Sequence, residues 1–254
     1  MLNLGVWTYV QTPYKKQITM NGLVRILTGL SGMFLACVMT VQAQNPDSEL
    51  FKKYFSPATE APAAPLEDGY ICRWTILEPI ATQIPSNRVL NDDFIKETFN
   101  KYYFKDQMTV IPRDGQSVKI EKTKHVWHAL DAKNFYVNLL RFAEGYGKEY
   151  YGQVYWVVTT INCDRDIENV RMSSGANSAA MWYLNGEEVL MLSNDRDLIC
   201  DDCMSKRITL KKGENVIRGM VFNGPGMADF CMRFVDENGK PVTDFTVSSV
   251  IKRK

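Results

Sequence analysis

The chain has 254 residues, 45% of them hydrophobic and 23% charged, with a formal net charge of +1. That composition excludes intrinsic disorder and supplies enough apolar material for a sizeable core. The first 43 residues hold Lys15, Lys16 and Arg25 and no acid, leaving 27 basic against 29 acidic side chains in the remainder. A chain this close to neutral is not steered by charge to nucleic acid or to an anionic membrane.

Arg25 opens an uncharged, largely apolar run, and no charge follows until Asp47. With Val41-Gln42-Ala43 as the cleavage signal, residues 1–43 read as a secretory signal peptide, for which Met20 is a more natural start than Met1. The other reading is a membrane anchor, but the apolar run of about 16–18 residues is short of the roughly 20 needed to span a bilayer. Leu35-Ala36-Cys37 suggests a lipoprotein, yet the apolar run continues past the cysteine. Export implies a secreted, periplasmic or cell-surface protein with no transmembrane span in the mature chain, and oxidising conditions for its cysteines. These are Cys72, Cys163, Cys200, Cys203 and Cys231, an odd number. Cys200-Asp201-Asp202-Cys203 has redox or zinc spacing, but lacks both a βαβ setting and a second ligand pair. It reads as a local loop disulfide or as two loop thiols.

Residues 44–68 carry Pro46, Pro57, Pro62 and Pro65 among alanines and read as a linker, with room for a helical turn or two over 48–55. The folded unit is expected over 69–250. Its first strand is Tyr70-Ile71-Cys72-Arg73-Trp74-Thr75-Ile76-Leu77, ended by Pro79. Over 91–103 the period changes: Ile95, Phe99 and Tyr102 share a helical face behind Asn91 or Asp92 as cap, which predicts one short helix. Short strands are expected at 108–111 and 117–120, around Pro112-Arg113-Asp114-Gly115. Residues 135–142 fit helix or strand, and their aromatic and β-branched content favours strand. Residues 153–161 carry large apolar groups on both faces, so this strand belongs mid-sheet with both sides covered. Residues 170–172 lead into a polar loop over 173–178.

The stretch 181–234 organises the rest. Asn185-Gly186 between apolar runs predicts a type I′ hairpin, whose two central residues need positive φ. Gly213-Glu214-Asn215 makes a second reversal and Asn223-Gly224-Pro225-Gly226 a third. The fold class implied by this pattern is mainly β: an antiparallel two-sheet jelly-roll sandwich with one short helix, preceded by signal peptide and linker.

The motif order resembles the galactose-binding-like jelly-roll modules of secreted bacterial carbohydrate-active enzymes. It is also similar to the sandwich that precedes some acetylxylan esterase domains. The residues that carry the likeness are Trp74 to Pro79, Asp93-Phe94, Trp127 ahead of Val137-Asn138-Leu139, and the strand from Tyr155 to Ile161. Trp182-Tyr183-Leu184-Asn185-Gly186-Glu187-Glu188-Val189, Leu210-Lys211-Lys212-Gly213-Glu214-Asn215 and the closing strand from Phe230 complete it. Glu78-Pro79, where Gly-Pro is usual, and the Cys200/Cys203 pair depart from the pattern. The resemblance implies a carbohydrate or glycan ligand and a structural calcium.

The chemistry needed for an enzyme is thin. No G-x-S-x-G elbow follows the leader, and no spacing joins Ser174 to a histidine base. On a strand, His125 and His128 point to opposite faces, a poor metal pair. A glycosidase needs two carboxyls in one cleft, which sequence alone does not pair. Asp164, Asp166, Asp195 and Asp197 are the candidate Ca²⁺ ligands, because closely spaced carboxylates with loop carbonyls supply the oxygens that this hard cation takes. Trp127, Trp182, Tyr183, Arg196 and Asn223 are the candidate sugar-binding residues, since sugar C–H faces pack on rings while hydroxyls need directed partners. Three functions are compatible with these features. The first is an exported, non-catalytic carbohydrate-binding sandwich; the second, an acetylxylan-esterase-related protein or fragment lacking its hydrolase part. The third is a structural or adhesive module with a partner protein at the cell surface.

Overall fold

The computed structural model describes residues 46–250, so the expected signal peptide lies outside the described residues. The first elements are α1 (Glu49–Lys52), β1 (Phe55–Pro57), β2 (Arg73–Leu77), β3 (Ile80–Ala81), α2 (Asp92–Asn100), β4 (Ser117–Ile120), β5 (Thr123–Ala132), β6 (Val137–Asn138) and α3 (Leu139–Gly145). Then come β7 (Gln153–Cys163), β8 (Ile167–Ala176), β9 (Ala179–Leu184), β10 (Glu187–Leu192), β11 (Cys203–Met204), β12 (Ile208–Leu210), β13 (Gly213–Asn223), β14 (Asp229–Val235) and β15 (Thr246–Ser248). One antiparallel sheet has the order β1-β5-β2-β7-β13-β9-β10, with β3 and β15 also on β7 and β4 on β5. The second runs β11-β8-β14-β6, with β12 on β8. The chain is a mainly β, two-sheet antiparallel sandwich.

Period-two alternation explains its thickness. Along β7, Tyr155, Val157 and Ile161 enter the core between the sheets, while Val154, Trp156 and Val158 enter a second apolar layer on the opposite face. β13 divides likewise, with Ile217 and Val221 on one side and Met220 and Phe222 on the other. The second layer is closed by α2 and the segment after it, through Ile95, Phe99, Tyr103 and Phe104. The mid-sheet strand expected at 153–161 is therefore covered twice. Between the sheets, Trp74, Trp182 and Phe230 pack with ring centroids 5.1–5.7 Å apart. Beneath Trp182 lies Gly219, where an added Cβ would sit 2.2 Å from the indole.

The stretch expected as a linker contributes β1, which pairs with β5, and buries Phe51 and Phe55. Arg73 fixes it further: its guanidinium forks onto Asp131 at 2.7 and 2.8 Å and donates to the carbonyls of Thr59 and Ala61. Residues 135–142, expected as strand, yield only β6 before α3 begins, because the Asn138 side chain accepts from the Arg141 N–H at 2.7 Å and caps a helix. The sandwich thus carries three short α-helices rather than one. No strand forms at 108–111; there the Val110 carbonyl accepts from buried Arg218. Residues 173–176, expected as loop, extend β8 because β14 pairs with them. Of the three reversals, Asn185-Gly186 joins neighbours β9 and β10. The other two carry the chain across the sandwich, from β12 to β13 and from β13 to β14. Asn215 pins the first crossing by exchanging hydrogen bonds with Lys211 N–H and C=O at 2.9 and 2.7 Å.

Asn185 and Gly186 have φ of 53° and 87°, so Gly186→Val is expected to destabilise by about 1–2 kcal/mol. Gly219→Ala should cost more, about 3 kcal/mol, because the ring it strikes is held on its other side by Trp74 and Phe230. Denaturant unfolding of both variants checks the ranking, and a milder Gly219→Ala would contradict the packing described.

Candidate functional site

α2 starts on Asn91, whose side chain accepts from the Phe94 N–H at 3.0 Å, and buries Ile95, Thr98 and Phe99. It ends at Asn100, since Lys101 adopts an extended conformation with ψ of 136°. One buried amide shapes the turn beyond it. Gln107 accepts from the N–H groups of Tyr103 and Phe104 at 2.7 and 3.4 Å and donates to the Lys101 carbonyl at 2.8 Å. Tyr103 donates its hydroxyl to the Thr98 carbonyl. With Tyr103 and Phe104 turned inward, Tyr102 is turned outward and is 73% exposed. The helix expected to bury Tyr102 on one face with Ile95 and Phe99 ends two residues before it.

Tyr102 stands at the edge of a groove of about 570 Å³. The groove is lined by Ile80 and Ala81 of β3 with Gln153 and His125, by Lys119, Ile120, Glu121 and Thr123 of the β4–β5 hairpin, and by Lys148 and Glu149. Past Ala81, Lys101, Tyr103 and Glu121 it adjoins a hollow of about 800 Å³ that reaches α2. Two of the lining residues, Lys148 and His125, contact the buried Glu78. Its carboxylate pairs with Lys148 at 3.0 Å, accepts from the Val126 N–H at 3.1 Å and lies 3.5 Å from His128 Nε2. The Glu78 carbonyl faces His125 Nδ1 at 3.2 Å, so the two histidines approach one residue from opposite faces of β5. Burial alone would raise the Glu78 pKa, but the hydrogen bonds from His128 and Lys148 outweigh it and hold the carboxyl below its usual range. The groove therefore offers an apolar ring beside donors and acceptors on lysine, glutamine and glutamate, the combination that takes a sugar face and its hydroxyls.

None of the five residues expected to bind sugar lines this groove. Trp127 and Trp182 are fully buried, Trp127 against Phe104 and Trp182 in the inter-sheet core, so neither ring can meet a ligand. Tyr183 stacks on Phe99 with centroids 4.7 Å apart. Asn223 is buried and donates to the Tyr150 carbonyl. Arg196 is half-buried, paired with Asp202 and bonded to the Ser193 carbonyl. The aromatic signal in the sequence was spent on core, as the two-sided burial of β7, β9 and β13 requires.

The four carboxylates expected to hold Ca²⁺ do not converge. Asp166 accepts from Lys212 N–H and Lys211 Nζ, Asp195 accepts from Asn87 at 2.6 Å, and Asp164 and Asp197 are exposed. Among the described residues no group of three His, Cys, Asp or Glu is placed to hold a metal ion. A different acid is perturbed instead. Asp229, 6% exposed at the start of β14, has a carboxyl oxygen without a hydrogen-bond partner, and burial pushes its pKa from the ordinary 3.8 to about 6 against the pull of Arg141.

No protein-family model matches the sequence, and no curated protein matches it. Among solved structures, the chain is similar to the PA14 domain of the MpAFP antifreeze protein, at 10% identity and a TM-score of 0.39, covering 76% of this chain and 95% of that one. A PA14 sugar-binding domain from an RTX adhesin is similar at 11% identity and a TM-score of 0.37, covering 70% and 99%. A β-glucosidase from Kluyveromyces marxianus is similar at 20% identity and a TM-score of 0.29, covering 43% of this chain and 12% of that one. At these TM-scores the likenesses carry nothing over to this chain.

Glu78 and Asp229 predict opposite pH dependences. For Glu78 the folded pKa is lowered, so its contribution to stability is present above the unfolded value and lost as pH falls through the folded one. For Asp229 the folded pKa is raised, so stability is lost as pH climbs from 3.8 to about 6, by on the order of 3 kcal/mol. Thermal melts between pH 3 and 8 should show Glu78→Gln flattening the acid limb and Asp229→Asn raising the melting point at pH 7. A lower melting point for Asp229→Asn at pH 7 would contradict the burial argument.

Proposed function

We propose that this chain is an exported, non-catalytic carbohydrate-binding module that takes a glycan in the groove beside Tyr102. The observation that carries the reading is the Tyr102 ring, the most exposed aromatic among the described residues, at the edge of a concave, polar-lined surface. The backbone turn pinned by Gln107 holds that ring out before any ligand arrives, which lowers the entropy cost of stacking. Export rests on the leader-like residues 1–43. Among the described residues no helix is long and apolar enough to cross a membrane.

The non-catalytic part of the reading is supported by where the candidate esterase groups lie. Ser174 donates its hydroxyl to the Cys231 carbonyl at 2.8 Å on the second sheet, while both histidines face Glu78 on the first. An acetylxylan-esterase-like role would need these groups assembled.

A glycan array probed with the full chain, then calorimetry on the best ligand, tests the proposal. Tyr102→Ala is expected to weaken binding about tenfold, the equivalent of a lost aromatic contact of about 1.4 kcal/mol, with the melting point unchanged because the ring is exposed. Silence on every glycan, or a Tyr102→Ala variant that binds as well as the parent, would remove the reading. Hydrolysis of p-nitrophenyl acetate above background would overturn its non-catalytic half.

A further inference from the structure

On the outer face of the second sheet, the loop between β10 and β11 lies across β8 and β14 as a third layer. The register sets Gly175 of β8 opposite Cys231 of β14, and Ser173 opposite Arg233. The missing side chain at Gly175 makes the crossing possible. An added Cβ there would lie 1.9 Å from the Ile199 carbonyl oxygen and 3.3 Å from Cys231 Sγ, so the backbone leading into Cys200 occupies the space beside that sulfur. The next residue locks the loop. Asp201, at a φ of 58°, accepts from Ser173 Oγ at 2.5 Å and forks onto the Arg233 guanidinium. Between these anchors Cys200 follows directly on the Ile199 carbonyl that shares the space over Gly175 with Cys231 Sγ, which makes it a neighbour of the Cys231 thiol and of the Tyr70 hydroxyl. Cys203, the partner that sequence spacing suggests, packs instead against the inter-sheet core.

We propose that Cys200 and Cys231 form a disulfide that staples the β10–β11 loop onto the second sheet. This stands independently of the glycan reading, since the pair lies on the sheet opposite the groove. The thiols are free in the structure, Cys200 exposed and Cys231 buried. Cys200 is therefore the sulfur that meets an external oxidant, a small-molecule disulfide such as oxidised glutathione. Its thiolate attacks that disulfide, forming a mixed disulfide and expelling one thiolate. Cys231 then gives its proton to solvent and attacks the Cys200 sulfur, expelling the second thiolate. The protein loses two protons and two electrons, and one small-molecule disulfide becomes two thiols. Burial pushes the Cys231 thiol up to about 12, so closure quickens as the pH rises.

The test is to reduce the full chain, oxidise it with glutathione disulfide at pH 8.5, and map its cross-links by mass spectrometry. The expected result is a Cys200–Cys231 link with a mass loss of about two hydrogens, and a melting point that rises by about 5–10 °C over the reduced protein. Because Cys231→Ser is buried and can fail to fold, Cys200→Ser is the informative variant: it should abolish the reductant-sensitive shift, while Cys203→Ser should retain it. A Cys200–Cys203 link, a lasting glutathione adduct on Cys200, or no cross-link would each overturn the proposal.

Discussion

The contact between Trp182 and Gly219 limits how the large sheet can be assembled. Two neighbouring strands, β9 and β13, bring an indole and a bare backbone face to face in register. The ring then fills the height between the sheets and reaches Trp74 and Phe230. Any side chain at 219 would push the indole into rings that have nowhere to go, because a core at crystal-like density has no slack to absorb the displacement. That close approach seats the indole between the sheets, where Phe230 and its inward-facing neighbours Met232 and Phe234 on β14 join the same core.

The same strands present large apolar groups on their other face, and a second cover is therefore obligatory. α2 and residues 101–110 supply it with few residues, held by Phe99 on Trp156 and Tyr183, and by Arg218 on the Val110 carbonyl. A cover this short leaves the sheet margin near β3 and the β4–β5 hairpin open, and the groove lies in that opening. Its exposed ring results from a helix that stops at Asn100 and a turn that must bury two of three consecutive aromatics. The groove is thus a by-product of how the second apolar layer is closed, and core contacts position it.

Polar groups set close to the sheets are handled in two ways. Arg73 and Asp131 satisfy each other while tying down residues 59–61. Arg233, Asp201 and Ser173 do the same for the loop over the second sheet. Asp229 lacks such a partner for one oxygen, and its raised pKa is the electrostatic consequence.

Local chemistry was enough to establish the β class, the two-sided burial of residues 153–161, the helix capped at Asn91 and the Asn185-Gly186 turn. Each depends on neighbours within a few residues: side-chain alternation, a capping oxygen, or a positive φ. The destination of a turn does not. Gly213 and Gly224 read as reversals like Gly186, yet they carry the chain between sheets, because only β-pairing at long range tells a hairpin from a crossing. The same limit governed the site. Trp127, Trp182 and Tyr183 had the composition of a sugar platform but were claimed by core, while Tyr102 was assigned to a helical face that ends before reaching it. Its partners across the groove, from β3 to Gln153, are brought together by sheet register, which sequence spacing does not encode.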